Sequence, residues 1–296
     1  CHHNMTNLFI FNTDFRVRDN PALFYAAENG ESVVAMFIHN PKKWESHNES
    51  DLKIAFQIDN LKIISKRLDE LNISLKVIHA EGIGDEIKKI VEYVKNNNIN
   101  EVFINKEYGI NEINRDQNLE KELVNLNKEL NSFDSSVFLP ESIKTQGDTF
   151  FKVFTPYSRA FRSKLLTKKL EVLGLPKKQK KKTQESDAVE NISLKAERKN
   201  ILELYKVGEE YALDKLDKFI DSKIHSYKEK RDYPAIDGTS SLSPYLSSGV
   251  LSSKQCLFKV FEKLSEEEEG IKTWVNEIIW REFYKYVLFH NPRVSK

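Results

Sequence analysis

Four hydroxyl side chains, Thr239, Ser240, Ser241 and Ser243, crowd directly ahead of Pro244 in the segment from Asp237 to Gly249. Proline is favoured at the first position of a helix, and a helix start presents unsatisfied backbone N–H groups, so this stretch is chemically suited to a phosphate or pyrophosphate without a lysine. The same residues also suit a capping turn that satisfies only its own backbone, and composition leaves both readings open. A second cluster lies near the end of the chain. On a helix turning about 100° per residue, Trp274, Glu277, Arg281, Tyr284 and Leu288 fall on one face, with Trp280 and Val287 bordering it. Glu277 and Arg281 are spaced i and i+4, which fits a surface ion pair worth a few tenths of a kcal/mol. Set among aromatic rings, the same two charges also fit a site that stacks a planar ring system or an extruded base and hydrogen-bonds its polar edge. A third set is His47 in Trp44-Glu45-Ser46-His47-Asn48, and Asn111-Glu112. Taken singly, His47 reads as a solvated loop histidine and Asn111 as a helix cap; together they become a site only if their loops meet in space.

The elements that must position these residues are of two kinds. Leu8 to Phe11, Val33 to Ile38, Leu75 to Ile78 and Val102 to Ile104 are short, nearly continuous apolar runs, and helix-period stretches such as Leu52 to Leu71 and Asp85 to Val94 lie between the later ones. Such alternation predicts a doubly wound, Rossmann-like parallel sheet covered by helices, with a further helix over Asn111 to Leu130, filling residues 5–130. Ligands of such sheets sit beyond the carboxyl ends of the strands, which singles out Asn12 to Asn20, His39 to His47 and Asn105 to Asn111. None of these loops carries a Gly-x-Gly-x-x-Gly or P-loop pattern, so the usual dinucleotide and nucleoside triphosphate sites are disfavoured. Past Pro140 the pattern loosens, with Gly147, Pro156 and Gly174-Leu175-Pro176, and residues 131–192 read as a linker. Residues 193–296 read as all-helical, with helices at Leu194 to Tyr205, Glu209 to Tyr227, Ser252 to Leu264 and Ile271 to His290. The last of these reaches almost to Lys296 with no terminating element after it, and the helical unit is expected to be incomplete.

A chain of 296 residues with 40% hydrophobic and 11% aromatic residues can bury a substantial core, which excludes disorder and low-complexity classes. Two cysteines, Cys1 and Cys256, make no disulfide framework and no metal-ligand spacing. No apolar run approaches the roughly 20 residues of a spanning helix, and no signal peptide opens the chain, so a soluble, cytoplasmic protein without a membrane partner is expected. Cys1-His2-His3-Asn4 reads as the remains of a tag, so the fold begins at Met5. The net charge of +1 conceals an uneven distribution. Between Lys144 and Lys182 twelve Lys and Arg face only Asp148 and Glu171, a net of +10. That block is either an electrostatic footprint for a polyanion such as nucleic acid or, at Lys177 to Lys182, a solvated connector.

The segment from Leu8 to Leu23, LFIFNTDFRVRDNPAL, resembles the opening of the photolyase/cryptochrome family. Tyr227 to Arg231, Thr239 to Gly249 and Trp274 to Tyr284 resemble its flavin-domain motifs, and Lys152 to Tyr157, KVFTPY, is similar to another family stretch. The likeness spans Met5 to Lys296 and is nearest to the folate-type class I photolyases acting on cyclobutane pyrimidine dimers. By that resemblance, Tyr227, Thr239, Ser240, Ser241, Leu242, Ser243, Trp274 and Glu277 match positions that hold FAD, with the hydroxyls on its phosphates. Arg231, Glu277, Trp280 and Arg281 match positions facing damaged DNA, single- or double-stranded, with Trp280 packing on the flipped dimer and Glu277 bonding its base edge, the pair expected to be catalytic. His47, Asn111, Glu112 and Lys296 match an antenna site for methenyltetrahydrofolate. The resemblance thus implies a monomeric deoxyribodipyrimidine photolyase, with two alternatives: a blue-light receptor of the cryptochrome type, or an inactive piece that binds only the antenna. Two departures stand out. The family usually has Arg where this chain has Asn12 and Ser241, which weakens the expected phosphate and loop contacts. None of the three tryptophans, Trp44, Trp274 and Trp280, matches the family's electron relay, which lies beyond Lys296.

Overall fold

The computed structural model describes residues 5–226, 242–264 and 268–291. Five parallel strands, β1 (Thr6–Ile10), β2 (Ser32–His39), β3 (Ser74–His79), β4 (Ile99–Asn105) and β5 (Glu129–Phe133), form one sheet in the order β3-β2-β1-β4-β5. Four strands coincide with the apolar runs. The helix predicted over Asn111 to Leu130 is instead α5 (Ile110–Val124) followed by β5. Leu123, Leu126 and Leu130 keep a near-helical spacing, but Asn127 adopts φ of +57° and breaks the helix, and the chain then pairs with β4. The α/β layer therefore runs to Phe133, three residues beyond the boundary drawn from sequence.

Helices α1 (Pro21–Glu28), α2 (Pro41–Ser46), α3 (Asp51–Glu70) and α4 (Ile83–Asn96) complete this layer. Asn20-Pro21 and Asn40-Pro41 each start a helix in the same way: the Asn side chain accepts from an N–H in the first turn, and proline occupies a position whose N–H would be orphaned anyway. One sheet face packs on α4 and α5 through Leu8, Ile10, Val34, Met36, Ile90 and Leu119. The other face continues without a break into the helical part, in one core that runs from Phe9 and Phe37 to Phe161, Tyr245 and Ile278.

The helical part consists of α6 (Phe154–Thr167), α7 (Ala196–Glu203), α8 (Glu209–Lys218), α9 (Ser243–Ser247), α10 (Ser253–Val260) and α11 (Glu269–His290) among the described residues. The helix expected over Glu209 to Tyr227 ends at Lys218 and continues as a π turn and a 3₁₀ turn to Ser226. Helix α6 lies inside the segment read as a linker. Pro156 does not break it, because it falls in the first turn where its missing N–H removes no hydrogen bond. The lysine run after it is a connector strapped to the sheet edge. Leu75 N donates to Ser186 Oγ at 3.0 Å, Val77 N to Asp187 Oδ2 at 2.9 Å, and Asp187 N to Leu75 O at 2.8 Å. Lys177, Lys178, Lys180 and Lys181 point to solvent and Lys182 pairs with Asp69 at 3.0 Å. This strap closes the β3 edge that would otherwise be open to pairing.

Candidate functional site

The strand order reverses between β1 and β4, and the loops leaving those strands form the floor of the site. Asn12 follows β1 and spans the gap: its Nδ2 donates to Asn105 O at 2.6 Å, while its Oδ1 accepts from Arg115 Nη2 at 2.9 Å. Arg115 is buried and also meets Asp116 at 2.9 Å and Glu86 at 3.6 Å. Burial works against its charge, but Asp116, Glu107 and Glu86 more than offset this and hold the guanidinium above its ordinary pKa. Asp116 is displaced upward by its own burial despite the neighbouring guanidinium. Glu86 accepts from Asn40 Nδ2 at 2.9 Å and pairs with Lys43 at 3.4 Å, so in this small cavity of about 90 Å³ the charged groups on the wall satisfy one another.

Above that floor His47, Asn111 and Glu112 come together. His47 caps the end of α2, a short helix where an open loop was expected, and Asn111 and Glu112 occupy the first turn of α5. His47 Nδ1 stands 3.9 Å from Glu112 Oε1, and Asn111 Nδ2 stands 3.5 Å from His47 Nε2. Residues 64 apart in the chain thus form one polar corner with both ring nitrogens engaged. Lys296 lies outside the described residues, as do Tyr227, Arg231, Thr239, Ser240 and Ser241.

The helical wall of the site is built on α9 and α11. Arg281 Nη2 donates to Ser243 Oγ at 2.8 Å, so Ser243, the one described residue of the four hydroxyls ahead of Pro244, meets the last helix. Leu242, just ahead of Ser243, is buried and anchors the segment. Trp280 is 38% exposed and stacks on Phe154 of α6 with centroids 3.9 Å apart and planes 5° from parallel. Phe283 meets Trp280 edge-on, and Tyr284, 64% exposed, lies beside it. Glu277 is exposed on the same helix. Trp274 departs from the expected face: it is 1% exposed and packed at 5.3 Å against Phe219. The buried side of α11 is centred on Val275, Ile278, Ile279 and Glu282, and it is wide enough to take in Trp274 at its margin. Cys256, buried beneath, has its thiol pushed up to about 12 by desolvation and remains a neutral core residue.

A cleft of about 520 Å³ joins the two walls. Asn12, Glu107, Glu112 and Lys106 line it from the sheet side, and Ser247, Arg281, Tyr284 and Leu288 from the helical side. The loop from Asn12 to Asn20 fastens the walls together. Phe15 N donates to Ser248 O at 3.3 Å, Arg16 Nη1 to Gly249 O at 2.9 Å, and Ser252 Oγ to Asp19 Oδ2 at 2.6 Å. Glu209 of α8 accepts from Val17 N and Arg18 N. Asp14, at the centre, accepts from Asn105 Nδ2 at 2.6 Å, yet burial still pushes its pKa up to about 6. Sequence reasoning placed these loops correctly but missed Asp14, Arg16 and Arg115 as a buried polar network. It gave Phe154 no site role, although the residue lies in the KVFTPY stretch and shares a helical spacing with Tyr157, Phe161 and Leu165.

A sequence profile described as DNA photolyase matches residues 7–177, from the start of β1 through the whole sheet to the connector. The chain belongs to the DNA photolyase family. The deoxyribodipyrimidine photo-lyase of Buchnera aphidicola subsp. Acyrthosiphon pisum (strain APS) is 34% identical, over 98% of this chain and 61% of its own length. That of Escherichia coli (strain K12) is 32% identical, over 98% of this chain and 62% of its own. This chain therefore spans about three-fifths of the length of those relatives. Among solved structures, a bacterial class III photolyase from Agrobacterium tumefaciens superposes with a TM-score of 0.81 at 23% identity, covering 99% of this chain and 61% of that one. An archaeal photolyase from Sulfolobus tokodaii, solved with two FAD molecules, gives 0.72 at 22% identity, covering 98% and 61%. The Synechocystis cryptochrome gives 0.74 at 19%, covering 98% and 62%. Photolyases and a cryptochrome thus share this fold.

Proposed function

We propose that this chain supplies the antenna-binding unit and part of the flavin- and DNA-binding wall of a deoxyribodipyrimidine photolyase, which splits cyclobutane pyrimidine dimers in DNA under light. The observation that carries the reading is the 2.8 Å bond between Arg281 and Ser243, with the exposed, stacked Trp280 one residue away from Arg281. A hydroxyl held by a guanidinium suits a diphosphate, and an open indole beside it suits a planar base. The residues present therefore fit FAD, with Ser243 and the neighbouring Thr239, Ser240 and Ser241 toward its phosphates and Tyr227 and Glu277 framing the remainder, while Leu242 and Trp274, both buried, support that wall from behind. When bound, reduced FAD supplies the electron that opens the cyclobutane ring and takes it back, so the reaction is redox-neutral.

The chain's own residues carry the rest. Trp280 stacks on the extruded dimer, braced from behind by Phe154 so that its ring keeps one angle. Glu277 accepts a hydrogen bond from the polar edge of a base, and Arg231 and Arg281 face the strand's phosphates. A dimer costs less to extrude than a normal pair, and selectivity for damage follows from that difference. His47, Asn111 and Glu112, with Lys296, form the antenna site; a carboxylate beside an amide and an imidazole suits the donor-rich edge of a reduced pterin such as methenyltetrahydrofolate. In this reading the antenna unit runs from residue 5 to the end of β5 at Phe133, the linker follows to residue 192 and the flavin unit is 193–296, in a cytoplasmic monomer.

The test is to load the protein with reduced FAD, add an oligonucleotide carrying one thymine dimer, illuminate, and measure dimer remaining. Light-dependent loss of dimer that falls at least tenfold in Trp280→Ala is expected. Intact dimers alongside a light-induced change in the flavin spectrum would place the protein with the light receptors instead.

A further inference from the structure

A further cavity, of about 330 Å³, opens beside Phe154 between α6 and α11. Its charged lining is wholly basic: Arg159, Arg162 and Lys272 contribute, and no carboxylate does. Among the described residues none of the three has an acidic partner within ion-pair distance. Arg162 is the most telling. Its Nη2 bonds Asn276 Oδ1 at 2.7 Å and the carbonyl of Lys272 at 3.1 Å, which fixes the guanidinium at the cavity wall while leaving its charge uncompensated. Partial burial lowers its pKa with no opposing contribution from a neighbouring carboxylate. A partly desolvated cation held in place without a counter-charge is costly unless an anion completes it. Arg159 and Lys272 are exposed, so they can meet an incoming anion without rearranging the core.

The position of the cavity identifies the anion. Phe154 both lines this cavity and stacks on Trp280, so the cavity and the indole on which the extruded base is read share one aromatic neighbour. We propose that Arg159, Arg162 and Lys272 form a phosphate subsite for the DNA strand whose base stacks on Trp280. The proposal rests on the DNA-binding reading above and adds to it a contact outside the residues assigned there. Phosphate contacts fix register without reading sequence, so the subsite holds the strand in line while Trp280 and Glu277 take the base.

The measurement is fluorescence anisotropy of a labelled single strand carrying a thymine dimer, titrated with the protein across a series of salt concentrations. Each phosphate neutralised on a single strand contributes about 0.7 to the slope of log K against log salt. The double variant Arg159→Gln/Lys272→Gln is expected to bind roughly tenfold more weakly at low salt, with a slope smaller by about 0.7 to 1.4. Quenching of Trp280 fluorescence at saturation should be unchanged. The charge-conserving pair Arg159→Lys/Lys272→Arg should restore the slope. Both side chains are exposed, and an unchanged thermal melt confirms that the double variant is folded. Wild-type binding with an identical slope in the double variant overturns the subsite and leaves the DNA reading standing. Failure of the wild type to bind the strand overturns both.

Discussion

Replacing Gly249 with alanine tests whether the loop after β1 locks the sheet to the helical wall. Gly249 has φ of +71°, a conformation that costs an L-residue about 1–2 kcal/mol. A Cβ there would lie 2.2 Å from Thr13 O, 2.6 Å from Asp14 Cα and 2.8 Å from Thr13 C. All three are backbone atoms, so no rotamer change relieves the overlap, and the two segments must separate. Separation loses the Arg16 Nη1 bond to Gly249 O at 2.9 Å and the weaker Phe15 N bond to Ser248 O at 3.3 Å. A hydrogen bond to a charged group is worth about 1.5–3 kcal/mol and a long neutral one about 0.5. The expected destabilisation is therefore about 3–5 kcal/mol, a large share of a typical domain's 5–15. Urea unfolding followed by circular dichroism measures it. Gly174→Ala serves as control, since a Cβ at Gly174 meets nothing within 4 Å, and it should change stability by under about 0.5 kcal/mol. A loss below about 1 kcal/mol for Gly249→Ala would refute the claim that this contact is tight.

The buried carboxyl of Asp14 gives a signed pH effect. Its folded-state pKa of about 6 exceeds the ordinary 3.8, so the folded protein holds this proton more tightly; the associated stability is present at low pH and lost as pH rises through 6. Between pH 5 and 7.5 wild type should lose roughly 1 kcal/mol relative to Asp14→Asn, and parallel pH curves for the two would count against it. Phe161, buried in the core shared by sheet and helices, should cost about 3–5 kcal/mol as Phe161→Ala, read from the urea midpoint. In the antenna corner, Glu112→Ala should weaken methenyltetrahydrofolate binding at least tenfold by equilibrium dialysis while leaving the thermal melt within 2 °C of wild type; undiminished binding would remove Glu112 from that site.

Most of the sheet could be read from sequence because its central strands β1 and β2 are buried along nearly their whole length and appear as apolar runs. β5 could not: Glu129-Leu130-Asn131-Ser132-Phe133 is an edge strand with a half-polar composition, and tertiary pairing with β4, not local preference, makes it a strand. Helix α6 was hidden by Pro156, a helix breaker everywhere except in the first turn it occupies. The polar corner of His47, Asn111 and Glu112 followed from the general rule that strand ends gather loops. The network through Asn12, Asp14, Arg16 and Arg115 did not, since its partners are 91 and 233 residues apart and no short-range pattern ties Asp14 to Asn105 or Arg16 to Gly249. Trp274 went into the core because a helix packed on two neighbouring elements buries more than half its circumference, and an amphipathic projection draws that boundary too narrowly.

Titration of FAD into the protein, followed by quenching of flavin fluorescence, tests most directly whether the hydroxyl segment and the last helix form one wall of a flavin pocket. Saturable binding of one FAD, weakened at least tenfold by Arg281→Ala and to a similar degree by Ser243→Ala, is the expected result. Binding that neither substitution alters, or no binding at all, would contradict it.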